Sequence, residues 1–133
     1  MSHTVDNPAG LHDPVPYGYS HTAAIPSGAG LVFVSGQYGS GIDGAVVSTE
    51  FAAQVTQAFA NLEVALAVHG LGLSHVVQLR TYVVQPDFEK LGVIGQAVAQ
   101  RCGATPPTNT VIGVAALATP DIVFEVEAVA AQS

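Results

Sequence analysis

The chain has almost no positive charge. Arg80, Lys90 and Arg101 are its only fixed cations, set against ten Asp and Glu, and the net charge is −7 over 133 residues. The three stand apart, so there is no basic patch to neutralise phosphates, and nucleic acid is not an expected partner. Cysteine is nearly absent as well. Cys102 alone rules out an internal disulfide, fits a reducing compartment and points to a cytoplasmic protein. Its own place, at the end of a helical stretch, suits a small packed hydrophobe. Long hydrophobic runs are missing: no apolar stretch approaches the roughly 18 residues of a membrane span. The N-terminus, "MSHTVDNPAGLHDPVPYG", has no basic segment leading into an apolar one and does not read as a signal peptide. The five histidines (3, 12, 21, 69 and 75) show no metal-ligand spacing. There is no Gly-rich phosphate loop opening a helix and no nucleophile elbow. No metal and no cofactor are expected.

What remains is apolar. Hydrophobic residues make up 49% of the chain and charged residues 10%, where a soluble domain carries about 25% charged. The length suits one domain. The simplest source of so little charged surface is burial against other copies of the same chain.

Residues 1–18 lack periodicity and read as an irregular arm, leaving 19–133 as the single domain. "YSHTAAI" (19–25) suits a short strand and "LVFVSGQYG" (31–39) a longer one, and Asp43–Gly44 marks a turn. A helix is predicted over 48–69, with Ser48 or Thr49 as cap and Val55, Phe59, Leu62 and Leu66 as its apolar stripe. "SHVVQLRTYVV" (74–84) reads as a strand, and Pro86–Asp87 opens a second helix to Cys102 with the stripe Phe88, Leu91, Ile94 or Gly95, and Val98. Strands follow at 109–117 and 121–130, with a link short enough for a hairpin. Two helices cover one face of such a sheet. The strands at 31–34, 76–84 and 111–117 are apolar on both faces, so the second face calls for a symmetric neighbour, with a closed barrel as the competing solution.

Three features carry possible chemistry. In "FEVEAVA" (124–130), alternation puts Glu125 and Glu127 on one face and Phe124, Val126 and Ala128 on the other. A carboxylate there needs hydrogen-bond partners or takes up a proton. It serves either a subunit interface or a reaction. "VSGQ" (34–37) ends its strand on small residues, so that Ser35 and the Gly36 backbone can approach a ligand or simply form a turn. Arg80 shares a face with Gln78 and Tyr82, and is expected to pair with Glu125, Glu127 or a neighbour's acid, or to serve an anion site.

In order and spacing, "YSHTA", "LVFVSGQ", "QAFANLEVAL", "TYVV", "DFEKL", "PPTNTV" and "FEVEAVA" resemble the Rid family, the reactive intermediate deaminases also called the YjgF or L-PSP endoribonuclease-like family. The resemblance runs from Tyr19 to Ala131. It implies an α+β fold, a mixed sheet with two helices on one face, assembled as a homotrimer around a barrel-like core. It also implies a small-molecule ligand in clefts between subunits and cofactor-free hydrolysis of enamines and imines. Active members grip the substrate carboxylate through an arginine at the position of Asn109; a neutral Asn cannot make that charged pair, which marks an arginine-lacking branch. Glu125 matches the glutamate that activates water and Glu127 the one after it. Ser35 and Gly36 match the cleft backbone, Tyr19 the N-terminal tyrosine (with Tyr17 as the other choice), and Tyr82 a cleft residue. The expected function is a deaminase or related hydrolase with an altered substrate, catalytic Glu125 and binding residues Tyr19, Ser35, Gly36, Tyr82 and Asn109. The alternative is a non-catalytic trimer that binds a small metabolite.

Overall fold

The computed structural model describes residues 2–132. The elements run β1 (Thr4–Asp6), β2 (Thr22–Ala24), β3 (Leu31–Tyr38), α1 (Phe51–Ala67), β4 (Val76–Val84), α2 (Phe88–Cys102), β5 (Thr108–Val114) and β6 (Phe124–Ala131), with 3-10 turns at Val15–Tyr17 and Leu73–His75. The fold is α+β. Its main sheet is mixed, in the order β3-β6-β4-β5, and both helices lie on one face of it.

Both helices begin where local chemistry allows. The Ser48 hydroxyl accepts from the Glu50 N–H at 3.0 Å, just before α1. Asp87 caps α2 by accepting from the Lys90 N–H at 2.8 Å. Val55, Phe59, Leu62 and Leu66 of α1 are buried as their spacing predicts. They meet Val34, Leu79, Val83 and the inner face of β6, namely Phe124, Val126, Ala128 and Ala130. Phe124 is fully buried and packs edge-on to Phe51, with ring centres 5.9 Å apart.

Four expectations are corrected. First, residues 1–18 are not irregular throughout: Thr4–Asp6 pairs antiparallel with Thr22–Ala24. A three-residue strand is too short to show a period. Second, the strand expected at 19–25 shrinks to β2, and Ser20 makes only an isolated bridge to Thr108. Third, β5 and β6 form no hairpin. β5 runs parallel to β4, joined through α2 as a parallel pair requires. The chain then crosses the end of β4, through residues 115–123, and inserts β6 between β3 and β4, antiparallel to both. A central place gives partners to both edges of the most buried strand. Fourth, the stripe expected on α2 divides. Ile94 and Val98 enter the core with Ala97, whereas Phe88 is 94% exposed and Leu91 is also exposed.

A buried amide fixes the route into β6. Gln54 is fully buried. Its Nε2 donates to Ser48 O and Asp121 O, each at 2.9 Å, and its Oε1 accepts from the Val123 N–H at 3.0 Å. The segment that delivers Phe124 and Glu125 is thus tied to α1. Nearby, Gln57 donates to Asn61, whose amide donates to Tyr38 O and Ser40 O.

Among the described residues no helix packs on the other face of the sheet. Phe33 is 74% exposed there, beside Leu31, and Val129 lies directly across from Phe33.

Gln54→Leu leaves three backbone groups without their partner. It is expected to lower stability by about 2–3 kcal/mol, read from urea unfolding midpoints; an unchanged midpoint would show that the amide brace contributes nothing.

Candidate functional site

Glu125 is the second residue of β6 and has one strand neighbour on each side. Tyr82 of β4 is directly across from it, and Arg80 is across from Glu127. On the β3 side the register slips between Val34 and Gln37. This bulge places Gly36 under the Glu125 carboxyl: a Cβ at position 36 would lie 2.8 Å from both Cδ and Oε1 of Glu125. Any side chain there would push the acid away, which explains why "SG" stands at the bulge. Ser35 is exposed beside it, and its carbonyl accepts from Gln37 Nε2 at 3.1 Å.

The electrostatics of this face are acidic. Partial burial pushes the Glu125 carboxyl above its usual range, and the charge of Glu127 pushes it further in the same direction. Glu127 accepts a short hydrogen bond from the Tyr82 hydroxyl. That bond, followed by desolvation, raises the Tyr82 phenol above its ordinary value, and nearby Arg80 offsets part of the rise. Among the described residues of the chain Arg80 forms no ion pair with Glu125 or Glu127, the two acids expected within the chain. Among the described residues the one ion pair is Arg101 with Glu63, at 3.7 Å. The Arg80 side chain is exposed, and the acid across from it is bonded to Tyr82 instead.

Tyr19 and Asn109 lie elsewhere. Asn109 is level with Leu79 in the β4–β5 register and therefore on the helix side of the sheet. Its Oδ1 accepts from the buried Thr81 hydroxyl at 3.3 Å. There it borders a pocket of about 860 Å³ between α2, β5 and the 3-10 turn, whose lining includes Tyr17, Tyr19, Phe88, Leu91 and Ile94. Backbone contact builds this wall. Gly18 has φ +83°, and a Cβ on it would come 2.4 Å from Gly95 O; a Cβ on Gly95 would come 2.7 Å from Tyr17 O. Two glycines thus let the turn press against α2 and set both tyrosines over the pocket. The Tyr19 hydroxyl is held by His12 Nε2 at 2.5 Å, and the His12 carbonyl accepts from His21 Nε2 at 2.8 Å.

Within one chain, then, Ser35, Gly36, Tyr82 and Glu125 gather on the open face, while Tyr19 and Asn109 share the pocket behind the sheet. Sequence reasoning missed His12, because contact across seven positions of an aperiodic segment leaves no pattern. It took Phe88 and Leu91 for core, because a pocket wall on a helix has the same spacing as a core stripe. The nearest signal was the pair of glycines, Gly92 and Gly95, on the same helix. Among the described residues no group of three or more His, Cys, Asp or Glu is placed to hold a metal ion. No helix among them is long and apolar enough to cross a membrane.

The family model described as Endoribonuclease L-PSP matches residues 12–132. The chain is similar to YyfB of Yersinia pestis, a Rid-family protein described as of unknown function, with 36% identity, a TM-score of 0.91 and coverage of 99% of this chain and 100% of that one. It is similar to Rv2704 of Mycobacterium tuberculosis, a member of the YjgF/YER057c/UK114 family, with 32% identity, a TM-score of 0.65 and coverage of 98% and 100%. The fold also matches E. coli TdcF, solved with bound serine, with 23% identity, a TM-score of 0.68 and coverage of 82% and 85%. The comparison with curated proteins returned no match.

A carboxyl whose pKa is higher folded than unfolded binds its proton more tightly in the folded state. Its contribution to stability is present below the ordinary Glu value and is lost as pH rises through the raised one. Glu125→Gln removes that loss. The variant is expected to exceed the wild type in urea midpoint at about pH 8 and to show no advantage at about pH 3. The same advantage at both pH values would contradict the burial of this acid.

Proposed function

The chain belongs to the Rid (YjgF, L-PSP) family, and from that premise we propose that it is a cofactor-free hydrolase of C=N or enamine bonds whose site closes between copies of the chain in a homotrimer. The carrying observation is Glu125, seated over a glycine bulge with its carboxyl pushed up by burial. A carboxyl poised in this way is suited to move a proton in both directions. It gives its proton to the carbon of an enamine to form the iminium ion. As carboxylate it takes a proton from water while the water oxygen attacks the C=N carbon. The proton then goes to nitrogen, the C–N bond breaks as the carboxylate takes back the hydroxyl proton, and a carbonyl compound and an amine or ammonia leave.

The trimer reading is supported by the split between the two half-sites. Glu125 and Asn109 lie on opposite faces of one sheet, so a second copy is what would bring a pocket such as that of Asn109 up to Glu125. The exposed Leu31 and Phe33, next to Val129 on the Glu125 face, suit such a contact.

Asn109 shapes the choice of substrate. In this reading it stands where active family members carry the carboxylate-gripping arginine. TdcF was solved with serine bound; a serine carboxylate calls for a charged partner that Asn109 cannot supply. The substrate here is therefore an altered one. The same observation favours a second reading, a binding protein that has kept the cleft and lost the chemistry. RNA is disfavoured by the net charge of −7.

Turnover of neutral imines and enamines is the test. Glu125→Gln is expected to lower kcat by about 10²–10⁴-fold, and Asn109→Arg to create activity toward imino acids. Equal rates for the wild type and Glu125→Gln would remove the hydrolase. A ligand bound and recovered unchanged would establish the binding protein in its place.

A further inference from the structure

We infer that the pocket beside Asn109 takes an uncharged molecule with an apolar body and a carbonyl-type acceptor, and discriminates against carboxylates. This deepens the preceding reading. It rests on Asn109 facing the ligand and does not rest on turnover.

The first ground is charge. The chain has three fixed cations, and each is engaged or placed away from this pocket. Lys90 Nζ donates to Val84 O at 3.1 Å and Gln85 O at 2.9 Å, and sits 5.6 Å from the centre of the Phe51 ring. Arg101 donates to Ala97 O at 2.9 Å and lies over Phe59. Arg80 is in register with Thr110 and opposite Glu127, on the other face of the sheet. Among the described residues no charged side chain lines the pocket. A carboxylate entering it would give up hydration and meet no opposite charge.

The second ground is the direction of the Asn109 amide. Thr81 occupies its Oδ1. Its Nδ2, a donor, makes no hydrogen bond among the described residues and is the end with nothing yet to bind. A donor without formal charge pairs well with a neutral carbonyl oxygen.

The third ground is the wall. Phe88 and Tyr17 stand 94% and 68% exposed at the rim, while Leu91 and Ile94 lie deeper along α2 and Tyr19 is held by His12. A volume of about 860 Å³ exceeds what a bare amino acid fills. Large apolar side chains kept in water gain by covering an apolar ligand.

The experiment uses two probes that share one body and differ in head-group charge, phenylacetamide and phenylacetate. Each is titrated into the full chain, with the Asn109 side-chain amide followed by NMR. Phenylacetamide is expected to shift the Asn109 amide signals and to bind at least about tenfold more tightly than phenylacetate. Asn109→Leu should weaken phenylacetamide about tenfold, the loss of one hydrogen bond. Phe88→Ala, at a position with no core packing to lose, should weaken it as well. Asn109→Arg should reverse the preference. Phenylacetate binding as tightly as the amide, affinity indifferent to both Asn109→Leu and Phe88→Ala, or no phenylacetamide binding would each overturn the inference. The two readings fail separately: selective binding with no turnover of any imine sinks the hydrolase and leaves this pocket, whereas turnover with a carboxylate preference sinks this pocket alone.

Discussion

Strand β6 is hydrogen-bonded along both edges, and the rest of the molecule follows from that constraint. A central strand cannot rotate its side chains out of the way: one set goes into the core and the other onto the open face. Phe124, Val126, Ala128 and Ala130 fill the space under the helices. Glu125 and Glu127 are thereby fixed two residues apart in the middle of a sheet, in a chain with only three fixed cations. Neither carboxylate receives a salt bridge among the described residues. One is bonded to Tyr82 and the other lies over Gly36. An acid held in place without a neutralising partner is a poor structural element and a useful chemical one.

The delivery of β6 depends on parts distant in sequence. Gln54 reaches from α1 to the segment before Phe124, and the parallel β4–α2–β5 unit leaves a gap beside β4 that β6 fills. The same unit forms the second feature of interest. Because β5 is an edge strand, Asn109 and Val111 face α2 across an open margin, and the 3-10 turn brings Tyr17 and Tyr19 to its rim. Two unlike environments result. One is acidic and set on the open sheet face; the other is apolar, uncharged and behind it.

Much of this was legible in the sequence, for reasons of period and composition. The α1 stripe is long enough for its spacing to identify the buried face, and strict alternation in "FEVEAVA" assigned both glutamates to the face away from the helices. The family resemblance, drawn from short motifs in a fixed order, agrees with the matched family model and the fold. Other features were hidden. Strand order is not a local property, so the short link at 118–120 suggested a hairpin that β6 does not make. Phe88 and Leu91 repeat at core spacing, yet the core takes Ile94, Ala97 and Val98. His12 meets Tyr19 through an aperiodic turn. Arg80 has an acid across from it in register, and hydrogen bonding to Tyr82 takes that acid first. Alternation and the turn placed Ser35, Gly36, Tyr82 and Glu125 near one another, while the separation of Tyr19 and Asn109 from them could be seen only once both faces of the sheet were known.

In the proposed trimer the acidic face of one copy meets the apolar pocket of another, so that neither half acts alone. Sedimentation velocity of the purified chain at micromolar concentration tests this most directly. A single species of three times the protomer mass is the predicted result, and a stable monomer across the concentration range would contradict it.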